Sequence, residues 1–149
     1  MIVLDTNIVL DLFVFDDPAV QPLKDALQSG RLRWLATPAM REELARVLAY
    51  KQIVPRLAYY QRSAADVLAD FDRLAQPVDA APKAPVTCKD ADDQQFIDLA
   101  VAHKTPLLSK DHAVLCMAKR LLALSVQAQT AIEFVASMAA DAVAPETVA

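Results

Sequence analysis

The sequence predicts an α/β domain of three layers, with a central, mainly parallel sheet held between helices. Three observations carry that expectation. Short apolar runs alternate with helical patterns along the chain, the order of a parallel sheet covered by its crossover helices. The first apolar run is β-branched and starts at the terminus, as a strand buried on both faces would. Two of the runs end directly on aspartate, at the place where the crevice of an open α/β sheet lies.

The elements follow in order. Ile2–Leu4 reads as the first strand, with Asp5-Thr6-Asn7 at its carboxyl end. Residues 8–15 read as a helix stopped by Asp16-Asp17-Pro18. A second helix, about 22–29, ends at Gly30, the chain's one glycine. Residues 31–36 form a short second strand. Thr37 then caps a helix with Pro38 at its first position. Met40, Leu44, Val47 and Leu48 share one face of that helix. Pro55 opens a longer helix that runs to Leu74. Residues 76–83, with Pro77 and Pro82, read as a loop, and Val86 marks the third strand. Residues 90–102 read as helix, 106–108 as the fourth strand, 113–124 as helix and 125–127 as a short edge strand. Thr130 and Glu133 form a capping box before the last helix. One domain spans residues 1–140, and residues 141–149 read as a flexible tail.

Composition narrows the function. At 149 residues the chain holds one substantial core. Its hydrophobic content of 55% is high, yet no stretch has the length of a membrane span. Asp5 breaks the apolar start, so it does not read as a signal peptide. The surplus predicts apolar surface for another chain, and Tyr59, Tyr60 and Phe71 on the Pro55–Leu74 helix are its candidates. Cys88 and Cys116 have no metal spacing and form no framework, which predicts a reducing cytoplasm. A net charge of -4 argues against gripping nucleic acid by charge alone.

The acidic residues are the informative part. Asp5 and Asp111 directly end apolar strands, while Asp90, Asp92 and Asp93 crowd a helix start and Glu43 lies a turn into another helix. The carboxyl ends of parallel strands open on one side, so Asp5, Asp93 and Asp111 are expected to converge, with Glu43 in reach. Each alone fits a bland role, such as a helix cap or a first-turn acid. Asp11, Glu42 and Asp98 read as solvated helix faces, and Asp66, Asp70 and Asp72 as exposed charge. Carboxylates gathered together cannot all stay ionised without a cation. Oxygen-only donors favour Mg²⁺ or Mn²⁺ over Zn²⁺.

The stretches "MIVLDTNIVLDLF", "TPAMREELARVL", "DADDQQFIDLA" and "LLSKDHAVL" resemble the four acidic blocks of the PIN-domain nucleases. They are most similar to the branch of toxins from toxin–antitoxin pairs, and the likeness runs from Met1 to about Ala136. The resemblance implies a metal-dependent endoribonuclease with Asp5, Glu43, Asp93 and Asp111 as catalytic, metal-holding carboxylates. Phe96 and Ala100 follow Asp93 at the family's spacing, and Leu44 directly follows Glu43. Asn7 and Ser109 match polar positions that orient those acids. Lys110 and His112 are candidates for steering phosphate, though Lys110 stands where the family often has glycine. Arg41, Arg46, Lys51 and Arg56 form a candidate basic stripe for single-stranded RNA. The resemblance also implies a homodimer, and an antitoxin whose basic side chain reaches the carboxylates. Two rival readings are a catalytically silent domain of this fold and a phosphate-accepting signalling domain. The second would need paired acids after the first strand, which Asp5-Thr6-Asn7 lacks.

Overall fold

The computed structural model describes the backbone of residues 1–148 and the side chains of residues 1–141. Five short strands, β1 (Val3–Leu4), β2 (Trp34–Ala36), β3 (Ala75–Pro77), β4 (Leu107–Leu108) and β5 (Ala128–Gln129), carry the fold. β1 pairs with β4 and β4 with β5, all in parallel, with Val3 opposite Leu107 and Leu107 opposite Ala128. β2 pairs in parallel with β3, Trp34 facing Ala75. A parallel bridge from Ile2 to Trp34 joins the two sets, giving the order β3-β2-β1-β4-β5. Its bonds run from Ile2 N–H to the Arg33 carbonyl at 2.8 Å and from Leu35 N–H to the Ile2 carbonyl at 2.9 Å. The predicted parallel α/β architecture is therefore present.

Helices α1 (Thr6–Phe13), α2 (Gln21–Gln28), α3 (Pro38–Leu48), α4 (Val54–Tyr59) and α5 (Ala64–Leu74) precede β3. α6 (Gln94–His103), α7 (His112–Leu115), α8 (Ala118–Leu122) and α9 (Ala131–Val148) complete the chain. The strands are apolar because both faces are covered: Ile2, Val3, Leu107 and Leu108 are fully buried. Trp34 anchors one side of the core, stacked on Phe13 with ring centres 6.1 Å apart and edge-on to Phe71 at 5.0 Å. Burying each such large apolar side chain contributes roughly 1.5–3 kcal/mol. Thr37 caps α3 by accepting from Met40 N–H, and Thr130 and Glu133 close their capping box at 3.1 and 3.2 Å.

Several expectations are corrected. The third strand is Ala75–Pro77, not Val86, which lies in a loop. Pro77 tolerates this place because β3 is an edge, and the next donor, Val78 N–H, reaches the Ala36 carbonyl at 2.9 Å. The long helix from Pro55 is two helices. Gln61 turns left-handed at φ 56, and Ser63 and Asp66 close a capping box that starts α5. Phe71 is consequently in the core rather than on an aromatic surface. The helix over 113–124 is likewise split into α7 and α8. The edge strand sits at 128–129, because Ser125 takes φ 66 in a turn. Almost all of the tail expected from Asp141 onward lies outside the residues whose side chains are described.

Candidate active site

Asp5 leaves β1 with extended backbone at the cap position of α1, yet its carboxylate closes no capping bond. It accepts instead from the Ser109 hydroxyl at 2.7 Å. Ser109 follows β4 and is fully buried, and its oxygen also accepts from Asp111 N–H at 2.9 Å. One hydroxyl thus ties the ends of two neighbouring strands together. Asp111 in turn caps α7, accepting from Ala113 N–H at 3.0 Å. Burial pushes the Asp5 carboxyl above its ordinary range, and the Ser109 hydroxyl opposes that shift.

Asp93 ends a 3-10 turn, Ala91–Asp93, that leads into α6. Only 7% of it is exposed, and its Oδ2 has no hydrogen-bond partner. An oxygen of Asp93, one of Asp90 and one of Asp111 all lie within 4.8 Å of one another. Desolvation pushes Asp93 up to about 8, with the Asp111 hydrogen bond and the charges of Asp5, Asp111 and Asp90 adding to it. The hydrogen bond from Asp93 holds Asp111 below its ordinary value. Without a cation, then, Asp93 keeps the proton and Asp111 the charge.

Glu43 reaches the site from α3, half-buried, where it accepts from the Thr6 hydroxyl. Burial raises its pKa, the Thr6 bond lowers it, and the charges of Asp5 and Asp92 raise it again. The structure therefore gathers Asp5, Glu43, Asp93 and Asp111 at one end of the sheet, with Asp90 beside Asp93. Asp92 is exposed and its N–H caps onto Asp90 at 2.9 Å. Asn7 accepts from Lys110 N–H at 3.3 Å.

The basic candidates are less concentrated. Lys110 turns its ammonium to Asp11, 2.9 Å away, and Asp11 is buried rather than the solvated residue its helix pattern suggested. Arg41 is held by Asp72 through bonds of 2.7 and 2.9 Å. Arg56 lies over the Phe15 ring at 3.9 Å, while Arg46 and Lys51 are exposed and in no ion pair among the described residues. Arg46 lies near enough to Glu43 for its charge to favour the ionised acid. His112 is exposed beside Asp111.

The donor set is all oxygen, one buried oxygen is orphaned, and like charges are crowded together. These features fit a hard divalent cation, and the acidic cluster suits metal binding. The family model of the PIN domain matches residues 1–113. The chain belongs to the PIN domain family. The match covers β1, α3, the turn before α6 and Asp111 after β4, so Asp5, Glu43, Asp93 and Asp111 all fall inside it. This PIN domain accordingly has a fold of nuclease type. The chain matches no curated protein and no solved structure.

Sequence reasoning missed two parts of this site. Thr6 was passed over although the i+1 hydroxyl after Asp5 is what meets Glu43. Asp98 was read as solvated, yet it accepts from Ala84 N–H at 2.8 Å and from the Gln94 amide at 2.7 Å, fixing the loop before α6. Glu43 and Ala84 lie at no spacing that sequence periodicity reports, whereas Gln94 stands one helical turn before Asp98 and was a signal available in the sequence.

Proposed function

We propose that this PIN domain is a metal-dependent endoribonuclease acting on single-stranded RNA, and the toxin of a toxin–antitoxin pair. The observation that carries the catalytic part is the orphaned Asp93 Oδ2, buried among Asp5, Asp90 and Asp111 with no cation of the protein beside it. In this reading Asp5, Glu43, Asp93 and Asp111 hold the ion, with Asp90 adjoining. Bound Mg²⁺ or Mn²⁺ would supply Lewis acidity, activating water and offsetting charge on the scissile phosphate.

The chain's own residues prepare that site. Ser109 donates to Asp5 and accepts from the backbone of Asp111, so it fixes the separation of the two strand-end acids. Thr6 holds Glu43 toward Asp5. Asn7 anchors the backbone at Lys110 and so the loop that carries Asp111. Asp93 gives up its proton to bind a cation. Arg46, exposed near Glu43, is a candidate for phosphate contact, whereas Lys110 and Arg41 reach substrate only by leaving Asp11 and Asp72.

The RNA and toxin parts rest on the likeness of the acidic blocks to the toxin branch. A homodimer follows from the same likeness, and a cytoplasmic place from the two cysteines that form no framework. Exposed Tyr50, Val54 and Tyr59, around the start and end of α4, support an apolar surface for a second chain. An antitoxin would place a basic side chain on the carboxylates. No helix of the described residues is long and apolar enough to cross a membrane. The test is cleavage of matched single-stranded RNA and DNA by purified protein with Mn²⁺. RNA cleavage lost in Asp93→Asn supports the proposal, and DNA cleavage without RNA cleavage overturns the substrate. Coexpression with the protein of a small upstream gene should relieve growth arrest, and unchanged arrest would remove the toxin role.

A further inference from the structure

Cys88 lies in the loop that leads into α6, and Cys116 ends α7. Their thiols donate to the same acceptor, the Ala113 carbonyl, at 3.3 and 3.5 Å. A single oxygen therefore brings the two sulfurs close together, although the residues come from different segments. Cys116 is exposed and Cys88 is buried. That pairing suits thiol–disulfide exchange, in which an accessible thiolate attacks first and an internal one resolves the mixed disulfide.

We propose that Cys88 and Cys116 form a reversible disulfide by exchange with a small-molecule disulfide of the glutathione class, and that this bond controls the acidic centre. Cys116 thiolate attacks oxidised glutathione, forming a mixed disulfide and releasing one glutathione thiolate. Cys88, deprotonated in its turn, attacks the Cys116 sulfur and releases the second. Two protein thiols are oxidised, one glutathione disulfide is reduced to two thiols, and the two protons pass to the departing thiolates. Disulfides of this kind in reducing compartments are transient and sensory rather than structural.

The bond joins two of the segments that hold the carboxylates. Cys88 stands just before Asp90 and Asp93, its N–H held by the Gln94 side chain at 2.7 Å. Cys116 closes the helix that Asp111 caps, and Ala113 supplies both the shared carbonyl and the N–H on Asp111. Forming a sulfur–sulfur bond of about 2.05 Å removes both thiol hydrogens, so the two hydrogen bonds that tie these segments to the Ala113 carbonyl are lost. The regulatory half of this inference rests on the metal-centre reading, and the bond itself does not.

The experiment equilibrates the full chain with oxidised glutathione, then with excess thiol, and follows free thiols, intact mass and Mn²⁺ binding by calorimetry. The expected result is loss of both thiols together, an intramolecular link between Cys88 and Cys116 on peptide mapping, and reversal by thiol. In Cys88→Ser, Cys116 should stop at the glutathione adduct. Wild-type protein that carries glutathione on Cys116 while Cys88 stays free would overturn the bond. The oxidised form should bind Mn²⁺ about tenfold more weakly, the scale on which outer contacts tune metal affinity. Equal affinity with the bond in place would overturn the control. Absence of Mn²⁺ binding in both forms would instead refute the metal centre, with the bond judged on mass alone.

Discussion

Carboxylates on the helical flank of this molecule and carboxylates at the strand ends obey opposite rules. On the flank several acids have a cation: Asp72 takes Arg41, Asp70 takes Arg62 and Arg73, Asp16 takes Lys24, and buried Asp11 takes Lys110. Arg41 holds Asp72 below the usual carboxylate range, and the Ser63 backbone N–H does the same for Asp66. At the strand ends none of Asp5, Glu43, Asp90, Asp93 and Asp111 is in an ion pair among the described residues. Burial drives Asp5, Glu43 and Asp93 upward instead. The chain has cations enough to neutralise its surface acids and places none of them in the crevice. Charge crowding there is a property of the site, not of an acidic protein in general.

The sharpest break in that comparison is chemical. Asp5→Asn and Asp93→Asn should each lower RNA cleavage by about 10²-fold or more, since an ion's share of transition-state stabilisation is several kcal/mol. Both variants should keep the fold and melt no lower than the metal-free parent, because Asp5→Asn removes repulsion and Asp93→Asn replaces a carboxyl that is already neutral without metal. Unfolding of Asp5→Asn would show that its carboxylate is structural, with the Ser109 bond as its purpose.

The next test uses pH. Asp93 moves from an ordinary 3.8 to about 8 on folding, so its protonated form favours the folded state. Its contribution is complete below about 3.8 and is lost as pH rises through about 8. Metal-free protein should therefore melt lower across that window, and Asp93→Asn should flatten the decline. Asp72 and Asp66 work in the other direction, since their folded values are depressed. Their contribution is present above 3.8 and disappears as acid protonates them. A metal-free melting curve with no alkaline decline would mean that Asp93 is not desolvated as described.

Smaller effects separate positioning from packing. Thr6→Ala should weaken Mn²⁺ binding by about tenfold, as loss of an outer hydrogen bond does, and Thr6→Ser should restore it. Equal binding by Thr6→Ala and wild type would leave Thr6 a packing residue. Smallest of all, Asp72→Asn should hardly change cleavage or melting, because its pair with Arg41 is exposed and solvent-screened. A large rise in cleavage there would instead assign the freed Arg41 to substrate.

The sequence made the strand-end acids legible because adjacency did the work. Asp5 directly follows an apolar run and Asp111 stands three residues past one, so a one-dimensional reading suffices to place them at the crevice. The PIN-like α/β sheet was legible for the same reason. Edges and partners were not. Ala75–Pro77 lacks an apolar pattern since two of its residues are exposed, and only pairing with β2 makes it a strand. Asp11 looked like a solvated face because its partner Lys110 is brought near by the sheet, not by helix spacing. The break between α4 and α5 was written in Ser63 and Asp66, and apolar periodicity on both sides obscured it.

The most direct test of the central contrast is calorimetric titration of metal-free protein with Mn²⁺ at neutral pH in buffers of different ionisation enthalpy. The acidic centre should bind saturably and release protons as it does so, because Asp93 is protonated until the cation arrives. Asp93→Asn should lose most of that affinity and the released proton with it. Saturable binding that Asp93→Asn leaves unchanged, or no binding at all, would contradict the account.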